Sequence, residues 1–224
     1  MRRRLPRSTP AALFIVTLTL AWGLFATPTT GQDPPPAYVV SVEEEWTLEV
    51  GEPNLQANAP QVSMVMSPLG DVETDYFMFL LNYRTHPTYA AGGLQVQNWS
   101  GNTILDVHDG NDESELDEPE EVVQWTQRMS IDSGTVTFEI SSGSSVSWGS
   151  FGGESDALSH SVATGQTSLN SYHPSVSLNE SGISYAGNRV VSLTLQNITW
   201  TMSNGETHQL DAPIDIDSDL DPWN

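Results

Sequence analysis

The sequence predicts an all-β fold, an antiparallel β-sandwich of jelly-roll type. Three observations carry that reading. Apolar residues recur with a period of two along most of the chain, the mark of strands with one face buried. Gly, Asn, Ser and Asp clusters punctuate these runs at short intervals, as turns require. No amphipathic helical stretch exceeds two turns, so no crossover helices are present to make the strands parallel.

The elements follow in order. In VVSVEEEWTLEV, Val40, Val42, Trp46, Leu48 and Val50 share even positions, and in QVSMVMS so do Val62, Met64 and Met66. YFMFLLNYR, residues 76–84, is a continuous apolar run, as expected of a central strand covered on both faces. A short buried helix has the same signature, but the aromatic content favours a strand. GGLQVQNW alternates through Leu94 and Val96, and NTILDVHD follows a turn at SGN. Beyond an acidic stretch, EVVQWTQRMSI alternates through Val123, Trp125, Gln127 and Met129. SGTVTFEISSG alternates through Val136, Phe138 and Ile140, and the intervening DSG is a hairpin signal. SVSWGSFGG reads as a short strand ending in glycines, and LSHSVATG as a weak one. In NRVVSLTLQNITWTM, Val191, Leu193 and Leu195 alternate, then Ile198, Trp200 and Met202 continue on the opposite parity. A slip at Gln196–Asn197 keeps both sets on the core face, so a β-bulge is predicted there. SNGETHQLD turns at Asn204–Gly205 into a last strand. The total is ten to twelve strands with no internal repeat.

The ends differ from this pattern. Arg2, Arg3, Arg4 and Arg7 precede an apolar run, Ala11 to Ala26, that is shorter than the roughly 20 residues of a membrane span. A small, polar and then Pro-rich segment follows, the layout of a secretory signal peptide. An uncleaved N-terminal anchor is the alternative. The expected organisation is a signal peptide over 1–31, a Pro-rich linker over 32–38, the sandwich domain over 39–210 and an acidic, flexible tail over 211–224. Localisation is therefore expected to be secreted, extracellular or periplasmic, with no membrane span after signal cleavage.

The formal net charge is −22 over 224 residues. All 29 acids follow residue 32, where only Arg84, Arg128 and Arg189 remain, so the processed chain carries about 3 − 29 = −26. There is no lysine. Such a surface repels phosphate backbones, which excludes nucleic-acid partners and disfavours anionic membranes. It suits solubility in salt, or cation binding. The absence of cysteine excludes thiol catalysis and Cys-based zinc sites, and the exported, Cys-free chain is bacterial in character.

GISYAGNRVVSLTLQNITW resembles the closing strand of concanavalin A-like and laminin G-like jelly rolls, with a glycine-bearing turn, an alternating strand and an Asn-hydrophobic step. GGLQVQNWSGNTILD is similar to the paired strands of such modules around a Gly-Asn turn. Together they span about a fifth of the chain. The whole pattern also resembles small secreted bacterial families. The jelly-roll resemblance implies glycan binding or polysaccharide cleavage.

Four groups of residues are candidate sites. HDGNDESELDEPEE, residues 108–121, is rich in the hard oxygen ligands that calcium takes, but lacks EF-hand spacing, and reads as a solvated loop between two strands. DIDSDLD places Asp215, Asp217, Asp219 and Asp221 on alternate positions, one face if extended, and these are the metal candidates, for calcium. Trp99 and Trp148 stand at strand ends beside Ser and Gly as candidate sugar-stacking platforms, with Arg84 as a donor. Trp46, Trp125 and Trp200 share parity with core residues. DVETDY would set Asp71, Glu73 and Asp75 on one face, but departs from the E-x-D-x-x-E of laminarinase-like enzymes, whose acids act about 5 Å apart. GGESDA lacks the strand-to-helix context of a nucleophile elbow. The five histidines stand apart with no H-E-x-x-H, and His160 and His173 read as loop residues. The leading expectation is a secreted, non-catalytic glycan-binding module, supported by calcium. A structural or surface-assembly protein using divalent cations is the second reading. A polysaccharide-active enzyme using Glu73 with Asp71 or Asp75 is the third.

Overall fold

The computed structural model describes residues 35–52, 60–83, 92–110, 114–153, 157–185 and 189–216. Twelve strands and one helix follow in order: β1 (Val39–Val50), β2 (Gln61–Met66), β3 (Asp75–Leu81), β4 (Leu94–Ser100), β5 (Thr103–Asp109), β6 (Val122–Asp132), β7 (Thr135–Ser145), β8 (Gly149–Phe151), β9 (Ser159–Ala163), α1 (Pro174–Glu180), β10 (Gly182–Ser184), β11 (Val190–Met202) and β12 (Thr207–Asp215). They form a seven-stranded sheet ordered β12-β11-β1-β6-β7-β8, with β9 also on β7, and a five-stranded sheet ordered β10-β2-β3-β4-β5. The two antiparallel sheets pack as a sandwich, the class that the period-two pattern predicts.

The apolar face of each strand meets that of the other sheet. Val42, Trp46, Leu48 and Val50 of β1 join Trp125 and Met129 of β6 and Phe138 of β7 in one core with Met64, Phe77, Phe79 and Val96 of the second sheet. Phe77 stacks on Phe138 with centroids 5.3 Å apart, and Phe79 meets Trp125 edge-on at 6.0 Å. Each such ring contributes roughly 1.5–3 kcal/mol on burial. The continuous apolar run of β3 lies at the centre of its sheet, as expected, with Tyr76 and Leu80 buried on its other face.

Local irregularities follow the sequence closely. Leu195 pairs with Trp46 while Asn197 pairs with Glu45, so Gln196 is the extra residue of the expected bulge. Val191 departs from the reading. A further shift between Glu49 and Val50 sends Val190 inward, leaving Val191 60% exposed. Ser133 (φ 49°) and Gly134 (φ 78°) turn β6 into β7, the two successive left-handed residues that a tight hairpin requires. Gly143, in the bulge of β7, lies where a Cβ would stand 2.2 Å from the Phe151 ring.

One expectation about the acidic segments is extended and the other corrected. Beyond Asp109, the described part of 108–121 is a loop between β5 and β6 with Asp117, Glu118 and Glu120 exposed, as expected, and it is also tied to the core at Leu116 and Glu121. Leu116 is fully buried, and its N–H donates to Asn82 Oδ1 at 3.0 Å. Arg189, itself buried, donates from Nη1 to the Leu116 carbonyl and from Nη2 to that of Glu118. The Glu121 carboxylate, 2% exposed, accepts from Ser147 N at 2.7 Å and Ser147 Oγ at 2.6 Å. The tail assigned to 211–224 begins as strand. β12 pairs with β11 through Asp215, and Ile216 packs on the core. Residues 217–224 and the signal peptide expected over 1–31 lie outside the described residues. Among the described residues no helix is long and apolar enough to cross a membrane.

Candidate functional site

The outer face of the seven-stranded sheet is polar because the odd positions of β1 and the even positions of β6 point away from the core. Where bulges interrupt β7 and β11, this face opens into a cleft of about 330 Å³. Its lining comes from four strands: Glu45, Trp46 and Thr47 of β1, Gln124, Trp125 and Thr126 of β6, Ser142 of β7 and Gln196 of β11. Glu45 is held by Asn197 Nδ2 at 2.5 Å. The indole N–H of Trp125 is buried with no protein hydrogen-bond acceptor. Arg128, on the same face, is engaged by Glu139 at 3.0 Å, Glu43 at 3.3 Å and Ser41 Oγ at 3.0 Å. Among the described residues the cleft therefore presents hydroxyls, amides and one carboxylate, and Arg128 beside it is already paired.

The expected site residues fall elsewhere. Trp148 is a core residue, 4% exposed. Its N–H donates to the Ser114 carbonyl at 2.5 Å and its ring meets Phe151 edge-on, so it presents no platform to solvent. The glycine-rich turn that suggested exposure instead brings the ring against Phe151 and the Ser114 carbonyl. Trp99 is half-buried and stacks on Tyr76 at 5.9 Å, which occupies one ring face. Its N–H begins a ladder on the five-stranded sheet: Trp99 to Gln97 Oε1 at 2.8 Å, Gln97 to Gln95 Oε1 at 2.5 Å, and Gln95 to Asp109 Oδ1 at 2.5 Å. Burial and the nearby Glu180 raise the Tyr76 hydroxyl above its ordinary value. Asp215 accepts from Leu193 N at 3.1 Å within the sheet, while Asp217, Asp219, Asp221 and Arg84 lie outside the described residues. Asp71 and Glu73 do not share a strand with Asp75. They sit in a bend where Asp71 Oδ1 accepts from Glu73 N, Thr74 N and Thr74 Oγ1, so the acids are not aligned on one face.

Two titratable centres were not anticipated. Glu44 is fully buried between the sheets. Its Oε2 accepts from Trp46 Nε1 at 2.9 Å and Gln127 Nε2 at 2.6 Å, and its Oε1 from Tyr172 and Ser177 hydroxyls, each at 2.5 Å. Burial pushes the carboxyl above the usual range, against the four hydrogen bonds that hold it down. Burial and the Glu44 charge raise the Tyr172 hydroxyl as well. The second centre lies at the rim of the sandwich, where Asp106 and His108 of β5 meet His160 of β9, and these three can hold a metal. Their facing atoms are 3.4 Å (His108 Nε2 to His160 Nδ1), 3.6 Å (His108 Nε2 to Asp106 Oδ2) and 3.8 Å (His160 Nδ1 to Asp106 Oδ2) apart. Burial, then His108, lower the His160 pKa, with Asp106 opposing.

No family model, curated protein or solved structure matches the chain.

Proposed function

We propose that the protein is an extracellular, non-catalytic binding module that takes an uncharged polyol, a glycan segment, in the cleft of the seven-stranded sheet. The observation that carries this reading is the lining: hydroxyl and amide side chains from four strands, with a single carboxylate and, among the described residues, no cation. Sugar hydroxyls both donate and accept, and Gln, Thr and Ser answer both roles. A phosphate or sulfate would meet Glu45 with nothing to neutralise it. The volume is at the lower end of that for small-ligand pockets, roughly 300–1,000 Å³. The basic and then apolar N-terminal sequence, with the layout of a signal peptide, supports an extracellular setting.

The test is a polysaccharide array probed with the wild type and with a Gln124→Ala/Gln196→Ala double variant, in calcium and in EDTA. Binding to one polymer class, weakened about tenfold or more in the variant, supports the reading. Loss in EDTA ties a cation to the site. No binding in either buffer, or binding indifferent to the double substitution, overturns it.

A further inference from the structure

We propose that Asp106, His108 and His160 form a binding site for one divalent ion of the zinc class, set between the two sheets at the open rim of the sandwich. The placement comes from strand register. His108 pairs with Val96 and His160 pairs with Phe138, and both partners are core residues. Each imidazole therefore points inward, one from each sheet. β5 is the edge of its sheet, and β9 lies beside β7 of the other, so the rings meet where the core reaches solvent. His160 also lies against Phe77, with ring centroids 6.3 Å apart.

The spacing fits a tetrahedral ion. Bonds of 2.0–2.1 Å at tetrahedral angles separate neighbouring ligand atoms by about 3.3–3.4 Å. The three observed separations, 3.4, 3.6 and 3.8 Å, need only a few tenths of an ångström of closure. A histidine pair joined simply by a hydrogen bond accounts for the first distance alone. Asp106 Oδ2 approaches both nitrogens at ion-pair distance, so the three atoms share one centre that an ion can occupy.

The tautomer is also fixed in the ligating form. His108 Nδ1 stands 2.5 Å from the Ser159 carbonyl oxygen, which only accepts, so Nδ1 carries the proton. Nε2 is left with its lone pair facing His160 and Asp106. Metal-bound histidines commonly donate their other N–H to a backbone carbonyl in this way, which orients the ring. Here the carbonyl belongs to the residue before His160, so one strand supplies a ligand and aligns another.

Ligand chemistry selects the ion. Two imidazole nitrogens and one carboxylate suit zinc and its neighbours, whereas calcium takes six to eight oxygens. This differs from the calcium expected at the C-terminal aspartates. Three protein ligands leave a fourth position, and the half-exposed Asp106 (side chain 56% exposed) and His108 (38%) open it to water or to an outside donor. An ion there would clamp β5 of one sheet to β9 of the other in a chain that has no cysteine to do so. The site is independent of the cleft, and its test does not depend on a glycan.

The full chain, stripped with EDTA and dialysed, is titrated with zinc chloride and separately with calcium chloride near pH 7.5, with calorimetry and metal analysis as readouts. We expect one tightly held zinc per chain and a rise in Tm, neither reproduced by calcium. The acidic surface will hold further zinc weakly, so the variants decide. His160→Ala and His108→Ala should lose 100-fold or more in affinity for the tight zinc, together with its Tm shift. Asp106→Asn is a near-isosteric change of a half-exposed side chain, leaves the core packing untouched, and should lose about tenfold. Histidine ring resonances of His108 and His160 should shift on zinc addition. Absence of a tight zinc, or a tight zinc unchanged in Asp106→Asn and His108→Ala, overturns the proposal.

Discussion

The centre around Glu44 and the centre at the rim are built alike and end differently. Both lie between the sheets, and both gather polar side chains from distant stretches. Glu44 receives four donors, and a carboxylate has about four acceptor positions. It is saturated and sealed, so it can only hold protein to protein. What it holds is the 172–177 segment, the entry to α1, against β1 and β6. At the rim the geometry is reversed: His108 Nε2, His160 Nδ1 and Asp106 Oδ2 face one another with capacity unspent, beside solvent. Buried polarity alone therefore does not mark a ligand site. Unspent lone pairs with access do.

The comparison breaks most visibly at Glu44→Ala. Four buried donors lose their acceptor, each at a cost of roughly 1–3 kcal/mol before water or repacking compensates. A net destabilisation of about 3–5 kcal/mol is expected in urea unfolding, with zinc affinity of the folded fraction unchanged. A loss below about 1 kcal/mol would show that the donors find other partners and that the centre is not saturated by design. Next comes Arg189→Met, which keeps much of the volume but strands the Leu116 and Glu118 carbonyls. It should cost about 2–3 kcal/mol and expose the 114–121 segment to proteolysis before the rest of the domain.

The third difference is in pH. Burial raises the Glu44 carboxyl above 4.5, so the folded state holds its proton more tightly than the unfolded chain. That contribution is fully present below pH 4.5 and is lost as pH rises through the folded value. This is the opposite of a salt-bridged carboxylate. The net negative charge gives a slope of the same sign, so the wild type alone does not isolate Glu44. Glu44→Gln does. Stability measured from pH 4 to 8 should fall less steeply in the variant, and parallel curves would assign the slope to surface charge.

The sequence displayed the strands well and these centres poorly, for separate reasons. Alternation identified the inward faces of β1, β2, β6, β7 and β11, and the parity change at Gln196 located a bulge without any structure. Glu44 was also legible: it occupies an even position between Val42 and Trp46, so the alternation itself turns it inward. β12 was legible in the same way, because Leu210, Ile214 and Ile216 keep period two through a segment that its prolines and acids made look like a tail. The rim could not be read. His108 and His160 stand 52 residues apart, and only the approach of β5 to β9 joins them. No local spacing encodes a contact made by two sheets. Trp148 failed for a related reason: a turn decides its direction, and turns have no period.

The smallest expected effect tests whether the rim depends on its scaffold. Gly134 closes the β6–β7 hairpin at φ 78°, where an L side chain costs about 1–2 kcal/mol. Gly134→Ala should therefore lower stability by about that amount. Yet Gly134 also accepts a hydrogen bond from Thr164 N at 2.8 Å, just beyond the strand that carries His160. If β9 is positioned by its ladder to β7, from Thr135↔Ala163 to Glu139↔Ser159, the turn matters little and zinc affinity should stay within about twofold. If the turn sets the register of β9, a modest loss of stability will come with a larger loss of zinc. Glu44 sits on the other side of β6 and should keep its pH slope in either case. The substitution thus separates a rim held by strand pairing from one held by its hairpin, and measuring zinc affinity beside urea stability distinguishes them.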